Sequence, residues 1–96
     1  MQITVLGIAW FRRKHWKQLL EIFTDRDSLH SSYDEWLADA KNTERGMKAL
    51  GFTVERIHIE PDRFPGWCAA RGVEPNGEAR SNFASKAVAR KHGTRS

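Results

Sequence analysis

Gln2-Ile3-Thr4-Val5-Leu6-Gly7-Ile8 is β-rich and almost continuously apolar. A strand with one solvated face alternates apolar and polar side chains, whereas an unbroken apolar run indicates a strand covered on both faces. The stretch therefore reads as a central strand of an α/β domain. The longer apolar run, Ile3 to Phe11, is too short to span a bilayer. It has no basic residue before it and is followed by Arg12-Arg13-Lys14 instead of a small-residue cleavage site. A cytoplasmic protein with no membrane partner is expected.

Moving outward, Trp16, Leu19, Leu20 and Phe23 recur at helical spacing, so a first amphipathic helix is expected over Arg12–Thr24. Ser32-Tyr33-Asp34-Glu35 has the form of a capping box and starts a second helix, in which Tyr33, Trp36, Leu37, Ala40, Met47 and Leu50 form the apolar stripe. Gly51 suits the left-handed residue that ends it. The second strand, Phe52–Ile59, contains a conflict of parity. Phe52 and Val54 point one way, while Ile57 and Ile59 point the other. A bulge near Glu55 and Arg56 reconciles them, and so does burial of both faces at one end.

Pro61-Asp62 opens a third helix that Gly72 closes, with Pro65 tolerable because it falls in the first turn. Asn76 then caps a fourth helix running to about Lys91, and Gly93 stops it. The resulting order is β-α-α-β-α-α, a single α/β domain over residues 1–93 with a frayed tail over 94–96. Ninety-six residues suffice to bury roughly 60 to 68% of the unfolded chain's surface. Two strands leave both outer edges of a sheet unpaired, and a two-stranded ribbon alone is marginal. Homodimerisation by strand pairing across a two-fold axis completes it, or else a short third strand within residues 24–32.

The net charge of +4 is uneven. Residues 1–60 carry nine basic and nine acidic side chains, so the whole excess lies in residues 61–96, and no acid follows Glu78. Such a segment favours an acidic protein or nucleic acid. Projection of the fourth helix places Arg80 and Lys91 within the same arc as Phe83, Ala84, Ala87 and Val88. Either the basic stems cover apolar surface with their heads in water, or a loosely held helix presents a mixed basic and apolar face. The candidate cations for an acidic partner are Arg12, Arg13, Lys14, Arg80, Lys86, Arg90 and Lys91. No nucleic-acid motif accompanies them, since the connection between the first two helices is about eight residues, too long for a helix-turn-helix.

Catalytic signals are few. Cys68 is the sole cysteine, which excludes an internal disulfide and a Cys-x-x-Cys site. It lies early in its helix and three residues before Arg71, so a lowered thiol pKa is conceivable, with His58 as a partner. Against that, Phe64, Trp67 and Cys68 form one apolar stripe, the pattern of core packing. The histidines offer no metal spacing. Asp25, Asp27, Asp34 and Glu35 fail the calcium-loop pattern, because His30 falls where glycine is required and Trp36 where glutamate is required. No phosphate-binding or nucleophile-elbow motif is present, and no cofactor is implied. Of the four tryptophans, Trp16, Trp36 and Trp67 lie on apolar helix faces. Trp10 and Phe11 fall where the strand gives way to Arg12-Arg13-Lys14, so burial competes there with a protein-contact role.

Gly7-Ile-Ala-Trp10-Phe11, Tyr33-Asp-Glu-Trp36-Leu37 and Trp67-Cys68-Ala-Ala-Arg71-Gly72, followed by Ala79-Arg80 and Phe83-Ala84, resemble a group of short uncharacterised bacterial proteins over most of the chain. Pro65-Gly66 departs from the ordinary helix formers of that group. The resemblance implies a free-standing bacterial protein and carries no activity. The function expected from the residues is a small non-enzymatic protein-binding or self-assembling domain. The alternatives are a weak, salt-sensitive nucleic-acid binder using the C-terminal helix and a thiol enzyme using Cys68.

Overall fold

A computed structural model of the chain describes residues 4–92. The expected strand start at Gln2 and Ile3, the helix stop at Gly93 and the frayed tail over 94–96 lie outside the described residues. In order, the elements are β1 (Val5–Trp10), a 3-10 turn at Arg13–His15, α1 (Trp16–Ile22), a 3-10 turn at Arg26–Ser28, α2 (Tyr33–Ala49), β2 (Thr53–His58), α3 (Phe64–Arg71) and α4 (Gly77–Lys91). The domain is mixed α/β, and no helix among the described residues is long and apolar enough to cross a membrane.

β1 and β2 pair in parallel as one two-stranded sheet, in an unbroken register from Val5 opposite Thr53 to Trp10 opposite His58. Parallel neighbours need a crossover connection, which α1 and α2 supply. Side chains alternate between the two faces of a strand. Arg56 reaches Glu44 of α2 and Trp10 packs edge-on against Trp36 of α2, so even-numbered strand residues face α2. Glu55 reaches Lys91 and His92 at the end of α4, and a side chain on Gly7 would run into Ala84 and Val88 of α4. Odd-numbered residues therefore face α4. One helix covers each face, which accounts for the unbroken apolar run of β1.

Of the two ways to reconcile the parity of β2, the bulge near Glu55 and Arg56 is absent and coverage of both faces holds, each mid-strand charge finding its partner on the flanking helix. Arg56 donates two hydrogen bonds of 2.8 Å to Glu44 and lies 4.0 Å over the Trp10 ring. The third strand considered for residues 24–32 is likewise absent. Thr24 N–H donates to the Pro75 carbonyl, and the Arg26–Ser28 turn follows. β1 is thus covered on both faces yet remains at an edge, where a central position was expected.

The helix starts follow local chemistry. Ser32 Oγ accepts from Glu35 N–H, and Asn76 Oδ1 accepts from Ala79 N–H, each satisfying an amide that the helix cannot. The Glu35 carboxylate bonds Ser31 rather than completing the box. Arg12 is extended, with a 3-10 turn before Trp16, so the first α-helix is shorter than its apolar spacing suggested. Arg63, not Asp62, precedes α3, and Gly72 closes it at φ 66° in the left-handed region.

The core lies beyond the C-terminal ends of the strands. Phe11 stacks on Trp36 at 4.5 Å between ring centroids and approaches Phe23 at 5.4 Å. Phe23 meets Phe64 edge-on, and Phe64 meets Phe83 edge-on. Phe23, Phe64, Leu19 and Ile59 are fully buried, and burial of each such side chain stabilises by about 1.5–3 kcal/mol. Trp10 and Phe11 are 4% and 2% exposed. That is a correction to their candidacy as surface contacts: the chain turns at Phe11 and Arg12 so that both rings enter the core.

α4 rests on β1 because Gly7 has no side chain. A Cβ there would stand 2.5 Å from the Ala84 carbonyl oxygen and 2.6 Å from Val88 Cγ2. The first of these is helix backbone and cannot swing aside. Gly7→Ala is therefore expected to destabilise the domain by about 1–3 kcal/mol, the usual cost of overpacking. Urea unfolding measures it, and a loss within the roughly 0.5 kcal/mol typical of surface changes would contradict the close packing.

Candidate functional site

The outer edge of β1 is the feature that the fold leaves unfinished. Thr53 N–H donates to the Thr4 carbonyl and Ile59 N–H to the Trp10 carbonyl, bracketing the ladder. In a parallel pair one residue uses both backbone groups toward the partner strand and the next uses neither. With this register, Leu6, Ile8 and Trp10 spend theirs on β2, while Val5, Gly7 and Ala9 direct N–H and C=O away from it. At the next outward position, the Phe11 carbonyl accepts from the Tyr33 hydroxyl at 2.9 Å. Val5, Gly7 and Ala9 have no such partner among the described residues.

This edge forms the floor of a groove of about 400 Å3. Trp36 and Met47 of α2 line one side, Gly77, Ser81 and the Asp25-paired Arg80 of α4 the other, and Leu29 and Phe11 also border it. The sheet separates α2 from α4, so a cavity touching both must pass around a sheet edge. Its strand residues, Gly7, Ile8 and Ala9, identify that edge as β1's. Val5 to Ala9 carry no charge and are only half-buried. β2, by contrast, carries Glu55 and Arg56, and charge of this kind is the usual means of blunting an edge against further pairing.

The candidate cations do not form one surface. Arg80 is 8% exposed and donates two hydrogen bonds, of 2.9 and 2.8 Å, to Asp25, with its guanidinium 4.3 Å from the Phe23 ring centroid. Its head is neither in water nor offered to a partner, a correction that follows from its position at the buried start of α4. The close contacts of Ala84 and Val88 also show that α4 is firmly seated. Arg13 pairs with Asp34 at 2.6 Å and Lys91 with Glu55 at 3.2 Å, while Arg12 stands 4.0 Å from Glu60. Lys14, Lys86 and Arg90 are exposed. Lys86 borders two adjoining depressions beside Trp67, of about 320 and 80 Å3. Arg71 covers the Trp67 ring in the first, and Phe83 and Arg90 line the second.

Cys68 is buried. Burial pushes its thiol pKa up, against a smaller opposing effect of Arg71, which disfavours the nucleophilic thiolate. His58 is held below its usual pKa by burial first and then by Arg12. The charges felt by His58 come from Arg12, Glu60, Arg56 and His15, and the one felt by Cys68 comes from Arg71. No hydrogen bond joins the two groups among the described residues, and neither contributes to the shift of the other. Sequence reasoning named the unpaired edges in general and missed Val5, Gly7 and Ala9 in particular. The available signal was a charge-free apolar strand in a sequence that predicts two strands.

No family model, curated protein or solved structure matches this chain.

The Arg80–Asp25 pair ties α4 to the connection before α2 and makes stability depend on pH. The hydrogen bonds from Arg80 hold the Asp25 carboxyl below its ordinary pKa, outweighing burial. A depressed folded-state value means that the stabilisation is complete above the unfolded pKa and is lost as pH falls through the folded one. Asp25→Asn is expected to cost about 1.5–3 kcal/mol at pH 7, the range for hydrogen bonds to charged groups. Urea midpoints across pH should show that difference shrinking below about pH 4. A pH-independent gap would contradict the assignment.

Proposed function

We propose that the chain is a small non-enzymatic protein-binding or self-assembling domain of the cytoplasm, and that the outer edge of β1 is its working surface. The unpaired N–H and C=O groups of Val5, Gly7 and Ala9 along an uncharged strand edge, the last two on the floor of a groove whose one charged lining residue, Arg80, is already paired with Asp25, carry this reading. Backbone groups are strong donors and acceptors whatever the sequence around them, so an edge of this kind binds by accepting a further strand. The rest of the molecule offers chemistry less support. Cys68 is buried with its pKa raised. The nucleic-acid reading, which spreads over Arg12, Arg13, Lys14, Lys86, Arg90 and Lys91, loses Arg80 to the core and has Arg13 and Lys91 already paired.

Ala9→Pro tests the proposal, since it deletes an amide directed away from β2 and leaves the β1–β2 ladder intact. Tagged wild-type protein from its native cells is expected to elute in gel filtration larger than the single chain, whether with a second copy or another protein. The Ala9→Pro protein, folded by circular dichroism, is expected to elute as a monomer. A monomeric wild type, or a complex indifferent to Ala9→Pro, would contradict the proposal.

A further inference from the structure

Resting on that reading, we infer that the β1 edge receives a single extended segment of another protein, with large apolar side chains alternating with small or hydroxyl ones, and not the β1 edge of a second copy. The discriminating observation is that the edge is recessed. α4 lies directly against β1, with the space for a Gly7 side chain already taken by Ala84 and Val88. Gly77 and Ser81 of the same helix flank the groove, so α4 overhangs the edge. Paired strands stand about 4.7–4.9 Å apart, whereas packed helices need about 8–10 Å between axes. If two copies joined β1 to β1 about a two-fold axis, each α4 above its own strand, the helices would be driven to nearly the strand spacing. A lone strand brings no helix and meets no such obstruction.

The groove walls set the partner's side-chain pattern. Successive residues of an added strand point alternately to the two faces. Those on the α2 side meet Trp36 and Met47, which favour Leu, Val or Ile, and those on the α4 side meet Gly77, Ser81 and the Asp25-paired Arg80, a small and polar wall that accommodates Thr, Ser or Ala. The backbone supplies three outward donors and three outward acceptors at Val5, Gly7 and Ala9. Affinity thus comes from main-chain pairing and selectivity from alternate side chains.

The test is a nitrogen-15 NMR titration of the full chain with the capped heptapeptide Glu-Leu-Thr-Val-Thr-Leu-Glu and a scrambled peptide of the same composition. The expected result is saturable shifts at the Val5, Gly7 and Ala9 amides and the Trp36 indole N–H with the alternating peptide alone. Affinity should weaken at least about tenfold in Ala9→Pro, in keeping with one lost hydrogen bond. Ser81→Arg, which obstructs the groove from an exposed helix position, should weaken it similarly if Ala9→Pro does not fold. If those amides are instead protected without peptide, in a protein that sediments as a dimer, a second copy holds the edge. The inference then fails while the edge keeps its role. If the alternating peptide leaves the edge unshifted, or shifts only the surroundings of Trp67 and Lys86, the inference is overturned. The underlying reading falls with it only where the cellular complex also ignores Ala9→Pro.

Discussion

The close approach of α4 to Gly7 is the constraint on which the arrangement turns. A two-stranded parallel sheet has little area to bury and must be covered on both faces to exclude water. α2 covers one face as part of the crossover. The other can be covered closely only where the helix backbone descends onto the strand, and Gly7 permits this by having no Cβ. Once α4 is seated, Arg80 at its start lies within the protein and needs an anion. Asp25 meets that need with two hydrogen bonds, since a guanidinium buried without a partner would be strongly destabilising. The same seating leaves α4 beside the β1 edge, where it flanks the groove.

The aromatic residues then perform a different task from the one their number suggests. Trp10, Phe11, Trp16, Tyr33 and Trp36 form a connected cluster between the end of β1 and the start of α2. Phe23 and Phe64 continue it toward Phe83 of α4. Rings in offset or edge-on contact contribute about 0.5–1.5 kcal/mol per pair beyond their burial, so this cluster substitutes for the larger sheet that the domain lacks. Trp67 and Cys68 belong to the α3 side of it. Cys68 packs inward, and Trp67, stacked near Phe64 and covered by Arg71, borders the solvent.

Much of the fold was legible because local signals agreed with the tertiary arrangement. The apolar run of β1, the Ser32 and Asn76 caps, and Gly72 ending α3 each have a local cause, and each is where periodicity placed it. The parity conflict in Phe52–Ile59 was legible together with two solutions, a bulge or burial of both faces, but not which of them holds. Its resolution depends on Glu44 and Lys91, residues outside the strand, reaching Arg56 and Glu55. Arg80 was misjudged for the same reason: helical projection placed it on the apolar face, but its partner lies 55 positions away. The candidate site was legible only as a general deficit of strands. Which edge is open, and that it is recessed, depends on register and on the lateral position of α4, neither of which any periodicity encodes.

An edge strand that is apolar, uncharged and unpaired is a hazard that proteins ordinarily suppress, and here the suppression is by geometry. The flanking helices hinder other folded domains while leaving room for one strand. Amide hydrogen exchange on the isolated, dilute protein tests this most directly. Along β1 the account predicts an alternation, with Leu6, Ile8 and Trp10 exchanging slowly through their bonds to β2 and Gly7 and Ala9 exchanging at least about tenfold faster, as amides without a partner do. Uniformly slow exchange from Leu6 to Trp10 would mean that the outer edge is already occupied, and would contradict it.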